Sequence, residues 1–172
     1  MPKHGYTLVE ILTAIVIVTL LVAMAAPLYE KTIERSRLAQ VRTMLYTLQR
    51  AKLEAMEQMG CSIYSPTRPQ CPTFDHLSVG LKITNKKKDY AVESGDFCYS
   101  IYPNSGAGYR DAVCAVRLGG EYKGTRFLYA EPGVISTSAP AIFYCGYNTG
   151  SSNGSNCEAY GLDAHSFTCG GC

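Results

Sequence analysis

From Ile11 to Leu28 the chain runs for eighteen residues with Thr13 and Thr19 as its only polar side chains. As a helix this stretch is roughly 27 Å long, about one bilayer hydrocarbon core, so it is long enough to span a membrane. Glu10 stands immediately before it. A carboxylate near a bilayer interior costs on the order of 2.5–3.5 kcal/mol and needs a partner. Lys3 and His4 lie beyond Gly5, and the next cation along the chain is Lys31. The simplest partner is a cation from another copy, such as an α-amine exposed by removal of the residues upstream. Glu10 therefore points to assembly.

The run Gly5-Tyr6-Thr7-Leu8-Val9-Glu10, followed by the apolar helix with Pro27 near its end, resembles the N-terminal motif of type IV pilins and their pseudopilin relatives. The likeness covers about the first 60 residues. It implies cleavage after Gly5 by a prepilin peptidase and methylation of the new N-terminus at Tyr6, where the family more often has Phe. It implies also that Glu10 meets a neighbouring subunit's N-terminus and that Pro27 bends the helix. Two plainer readings compete. Lys3, Leu12–Val22 and Ala23-Met24-Ala25 have the order of a secretory signal's charged, apolar and cleavage regions, and the segment could also be a simple membrane anchor. Glu10 and the apolar length count against the signal.

Of the 172 residues, about 110 remain for a globular part, enough for a modest core. A net charge of +2 and a pI near 8.1 are too mild to indicate nucleic-acid binding alone. All eight cysteines fall from Cys61 onward, the pattern of a disulfide framework made in an oxidising compartment. That places the globular part outside the cytoplasm. Lys31, Arg35, Arg37 and Arg42 after the apolar run favour the opposite orientation by the positive-inside rule. Glu30 and Glu34 offset them in part, and eight cysteines in an exported pattern outweigh the remaining charge bias.

Leu38, Val41, Leu45, Leu48, Ala55 and Met59 recur at helical steps, with Met44 and Ala51 widening the stripe. This predicts an amphipathic continuation from Lys31 to Met59, stopped at Gly60. Pro27 predicts a kink or local melting, unless it marks a helix boundary. Pro66, Pro69 and Pro72 make Cys61 to Asp89 a loop, with Lys86-Lys87-Lys88 a solvated turn rather than a grip on DNA. Alternation then predicts strands over Phe97–Tyr102, Ala112–Leu118, Thr125–Ala130 and Ala141–Tyr147, separated by glycine turns. The expected class is α+β: a long N-terminal helix packed on a small antiparallel meander, with a disulfide-rich C-terminal region. The expected boundaries are a leader 1–5, a membrane or filament-core helix 6–28, an amphipathic helix 29–60 and a β domain 61–172.

Eight cysteines allow 105 pairings. Proximity and strand adjacency favour Cys61 with Cys71, Cys98 with Cys114, Cys145 with Cys157, and Cys169 with Cys172. The Cys145–Cys157 loop resembles the variable, often adhesive, disulfide-bounded region of pilins. Cys169-x-x-Cys172 lacks the helix start that would activate a redox thiol. Asp163, His165, Cys169 and Cys172 could hold zinc, but an even cysteine count in an exported chain favours disulfides, and no metal is expected. His4 and His76 have no companions. Asn153-Gly154-Ser155 is a glycosylation sequon, and the thirteen tyrosines read as strand and surface aromatics. Hydrolase, zinc-protease, phosphate-loop and dinucleotide motifs are absent, so neither catalysis nor a cofactor is expected.

The resemblance implies a structural subunit of an extracellular type IV pilus-like filament, held in the inner membrane until it polymerises. Its partners would be further copies of itself, the prepilin peptidase, the assembly machinery and surface ligands. Two alternatives stay open: a pseudopilin of a type II secretion system, in a periplasmic filament, and a secreted or anchored cysteine-rich binding protein. The major secretion pseudopilin usually carries a C-terminal calcium site, whereas Glu121, Glu131, Glu158 and Asp163 are scattered, which favours a pilin.

Overall fold

The structure is a computed structural model and describes residues 7–61, 72–101, 112–131, 142–147, 155–167 and 169–172. The chain divides into two compact units, Met1–Arg37 and Leu38–Cys172.

Helix α1 runs from Leu8 to Gln58 and contributes residues to both units. Its backbone is helical through Pro27, so no turn melts there, in contrast to the local melting expected; the side chain of Pro27 lies outside the described residues. Gly60, at φ 62°, ends the helix, with Cys61 N–H donating to the Met56 carbonyl at 2.9 Å and Gly60 N–H to Glu57 at 3.2 Å. This is the left-handed glycine stop.

In the second unit the sheet has seven strands in chain order: β1 (Asn85–Lys88), β2 (Ala91–Ser94), β3 (Phe97–Ser100), β4 (Val113–Arg117), β5 (Arg126–Ala130), β6 (Ile142–Tyr147) and β7 (Ala164–Ser166). All neighbours are antiparallel except β6 and β7, which are parallel and joined through the short helix α2 (Ser155–Ala159). Four of these strands lie where the alternation predicts. Three more, and the parallel pair, extend the expected meander.

The region Cys61–Asp89 is not all loop: it holds β1 and a 3-10 turn at Phe74–His76. β1 was invisible to alternation because it is an edge strand exposed along its whole length. Its lysines are neither a turn nor an open basic patch. Lys86 bonds Asp75 at 2.6 Å and Asp89 at 3.2 Å, Lys87 bonds Glu93 at 3.0 Å, and Lys88 lies 5.6 Å from the Tyr90 ring. Charged edges of this kind discourage strand-to-strand association. The two carboxylates hold the Lys86 ammonium above its ordinary pKa, Asp75 first.

The sheet has two covered faces. On one, Val92, Phe97, Tyr99, Val113, Ala115, Phe127 and Cys145 pack with Val41, Leu45, Leu48 and Ala55 of α1, as the helical stripe requires. Lys52 completes that stripe and is fully buried. Its ammonium donates to the Ile101 carbonyl at 2.7 Å and the Ala112 carbonyl at 3.3 Å, tying the helix to the end of β3 and the start of β4. Lys52→Met is expected to cost roughly 1–3 kcal/mol by stranding buried carbonyls, read as a lower denaturation midpoint; an unchanged midpoint would mean these bonds contribute nothing net.

On the other face, Cys98, Cys114, Val116, Leu128 and Ala130 are covered by Phe167 and Cys169 of the C-terminal segment. The Arg126 guanidinium holds the Phe167 carbonyl at 3.1 Å. Gly146 makes this close approach possible. A Cβ there would fall 2.6 Å from the His165 carbonyl oxygen and nearer still to the Phe167 ring. Gly146→Ala is therefore expected to cost about 1–3 kcal/mol by overpacking, measured by thermal melting; a neutral result would show that the segment can lift without penalty.

The cystines correct two expected pairings. Cys98 is bonded to Cys172 and Cys114 to Cys169, with Cα–Cα distances of 5.8 and 5.9 Å, so neither Cys98–Cys114 nor Cys169–Cys172 forms. The reason is register. Cys98 opposes Val116 while Cys114 opposes Ser100, so the two share a face but sit diagonally. Diagonal neighbours are roughly 7–8 Å apart, too far for a bridge that needs Cβ atoms about 3.8 Å apart. The three-residue step of the terminal pair spans the offset instead, one sulfur to each strand. Cys145 is bonded to Cys157, as expected, with Cα atoms 5.7 Å apart. Cys61 is disulfide-bonded, while its expected partner Cys71 lies outside the described residues.

Candidate functional site

The first unit is the candidate site. Leu8–Ala26 forms a helical segment of 19 residues, long and apolar enough to cross a membrane, with none of it buried in the protein. Twelve large apolar side chains, Leu8, Val9, Ile11, Leu12, Ile15, Val16, Ile17, Val18, Leu20, Leu21, Val22 and Met24, are each between 48% and 76% exposed. Burying such a side chain is worth about 1.5–3 kcal/mol, so even partial burial of twelve yields on the order of 10 kcal/mol or more. Because they lie on every side of the helix, the segment belongs in lipid or among like helices, not on a sheet.

Its polar groups are prepared for such surroundings. Thr13 donates its hydroxyl to the Glu10 carbonyl at 3.0 Å and Thr19 to the Val16 carbonyl at 2.9 Å. Both hydroxyls are thus satisfied within the helix, as a water-free medium demands.

Glu10 lies on the first turn. Its Oε2 accepts the Thr7 N–H at 2.7 Å and the Thr7 hydroxyl at 2.9 Å, while Glu10 N–H donates back to the Thr7 hydroxyl at 3.3 Å. This is a capping box, with Thr7 as cap and Glu10 three residues on. Thr7 was not singled out from sequence, although Thr-x-x-Glu ahead of an apolar run is that signature. Both bonds use Oε2, so Oε1 keeps its acceptor capacity. No cation faces Glu10 among the described residues.

Gly5 and Tyr6 lie outside the described residues, as do the sequon's Asn153 and Gly154. The zinc and redox alternatives lose their sulfurs, since Cys169 and Cys172 are each bonded to a strand cysteine, and the His165 ring lies tilted against Tyr144 with centroids 4.2 Å apart. Among the described residues no three His, Cys, Asp or Glu side chains gather as metal ligands.

The chain thus joins a lipid-length apolar helix, opened by an acid-bearing cap, to a disulfide-stapled helix-on-sheet unit. Residues 1–26 match the family model described as the prokaryotic N-terminal methylation motif, and so carry the signature of type IV pilins and pseudopilins. No curated protein and no solved structure matches the chain. The motif and the apolar helix together fit anchoring in a membrane before assembly.

Proposed function

We propose that the protein is a structural subunit of an extracellular filament of the type IV pilus kind, without a catalytic role. The observation that carries this reading is the unburied Leu8–Ala26 helix opening on Glu10, within a prepilin-type motif. In this reading a prepilin peptidase cuts between Gly5 and Tyr6 and methylates Tyr6. The chain then waits in the inner membrane, with the Leu38–Cys172 unit on the oxidising side. On polymerisation the apolar helices pack together in the filament centre, and the open Oε1 of Glu10 accepts the Tyr6 amine of a neighbour, which sets the register. Pro27 lets the helix bend as it leaves the bilayer. Residues 29–60 carry the helix into the displayed domain.

The same N-terminal motif serves pseudopilins, so a secretion filament is the second reading. Fractionation of the native host separates the two. A pilus subunit is recovered in filaments sheared from the cell surface and is seen there by immunogold labelling. Recovery in the envelope alone, together with a secretion defect in its absence, would replace the pilus with a pseudopilin.

A further inference from the structure

The flank of α1 in the Leu38–Cys172 unit forms a second site. Arg42, Tyr46 and Arg50 stand at successive four-residue steps on one exposed helix face, the spacing that lines side chains up. Arg42, Thr43 and Tyr46, with Tyr129 of β5 and Phe143 of β6, line a solvent-open cleft of about 440 Å³. The Arg42 guanidinium lies 4.6 Å from the Phe143 ring centroid, and Phe143 stacks in turn on Phe127, with centroids 6.0 Å apart. A guanidinium over a ring face can still present its N–H fork to an acceptor. Tyr46 remains 47% exposed, with Tyr129 edge-on at 5.9 Å and the Arg50 guanidinium 5.8 Å from its centroid.

Among the described residues, the guanidinium groups of Arg42 and Arg50 and the hydroxyls of Tyr46 and Tyr129 make no hydrogen bond or ion pair. The Thr43 hydroxyl, by contrast, is committed to the Ala39 carbonyl at 3.1 Å. Burial first, then Glu131 and Tyr46, with Arg50 opposing, hold the Tyr129 phenol above its ordinary pKa, so at neutral pH it can donate. The site thus offers a planar cationic fork, an aromatic platform and phenolic donors.

We propose that this cleft binds a carboxylated sugar ring, a uronate unit of an acidic polysaccharide. Arg42 would grip the carboxylate, Tyr46 would carry the ring, and Arg50 and Tyr129 would meet further oxygens. Carboxylate geometry matches the guanidinium fork bidentately, and an open cleft of this volume admits a chain passing through it. Nucleic acid fits less well. It is bound by neutralising many phosphates, yet among the described residues the cleft has one cation in its lining, Arg42, with Arg50 beside Tyr46, and Lys86, Lys87 and Lys88 are taken up by Asp75, Asp89, Glu93 and Tyr90. The site lies wholly within the second unit and does not depend on the filament reading.

The test is isothermal titration calorimetry of the full chain in nonionic detergent, with trigalacturonate as probe, galactotriose as its neutral counterpart and a short oligo-dT as the nucleic-acid control. Saturable trigalacturonate binding is expected, weakened about tenfold or more in Arg42→Gln and in Tyr46→Ala, and weakened less in Arg42→Lys, which keeps charge and loses the fork. Galactotriose should bind at least about tenfold more weakly than trigalacturonate. Arg42 and Tyr46 are exposed, so the variants should melt as the parent does. Absence of trigalacturonate binding, equal binding by Arg42→Gln, equal binding of galactotriose, or tighter binding of oligo-dT would each overturn the proposal.

Discussion

Glu10→Gln and Glu10→Ala are both expected to abolish incorporation into filaments while leaving the chain folded and membrane-inserted. The pair separates the capping role that the structure shows for Glu10 from the counter-charge role that the proposed filament gives it. As the third residue of a capping box, Glu10 holds Thr7 through Oε2, and Gln can make the same bonds. Loss of the cap in Glu10→Ala costs about 1 kcal/mol at the helix start, too little to unfold a helix sustained by lipid. The charge is another matter: a neighbour's amine placed against a neutral amide in an apolar filament core is left without its counter-ion, a penalty of several kcal/mol. If assembly depends on the charge, Gln fails as fully as Ala, and sheared-filament yield falls to background for both. Normal yield from Glu10→Gln with reduced yield from Glu10→Ala would show that Glu10 is only a cap.

The second large effect is expected at the C-terminus. Cys169→Ser combined with Cys172→Ser removes two long cross-links, Cys98–Cys172 and Cys114–Cys169, with sequence separations of 74 and 55. The chain-entropy model gives each about 4 kcal/mol; because one loop encloses the other, the pair is worth less than the sum. A loss of this size takes most of the roughly 5–15 kcal/mol available to a domain. The variant's Leu38–Cys172 unit should melt tens of degrees earlier, or fail to fold at physiological temperature, while the Leu8–Ala26 helix persists in detergent. Cys145→Ser with Cys157→Ser, separation 12, removes about 3 kcal/mol and should be milder. Equal melting of parent and C-terminal variant would mean that Phe167 and Arg126 hold the segment without its sulfurs.

What the sequence made legible was whatever depends on neighbours along the chain. The apolar run, Glu10, the amphipathic stripe and the Gly60 stop are local patterns, and β3 to β6 show alternation because each has two covered faces of different content. β1 has no covered face, so its lysines carry no period. β7 is three residues long, and its place is set by the parallel pairing with β6 and by bonds far from it in sequence. Lys52 was hidden by its charge, with Ala51 already filling the helical step between Leu48 and Ala55. The cystine pairing needed the register of β3 against β4, which no spacing discloses. The Arg42 cleft likewise joins α1 to Tyr129 and Phe143, some eighty to one hundred residues away; its only local trace was the Arg42, Tyr46, Arg50 step. Of the N-terminal site, the acid and the apolar helix are readable, and the Thr7 cap is written locally as Thr-x-x-Glu ahead of an apolar run.

The filament account rests on processing between Gly5 and Tyr6, and the measurement that tests it most directly is the N-terminus of the mature protein from its native host, by intact mass and N-terminal fragmentation. A mature chain that begins at Tyr6 and carries a methyl group on its amine, with Glu10 retained, is the expected result. A mature chain beginning at Ala26 would contradict it, since cleavage there discards Glu10 and the whole apolar helix before any subunit could assemble through them.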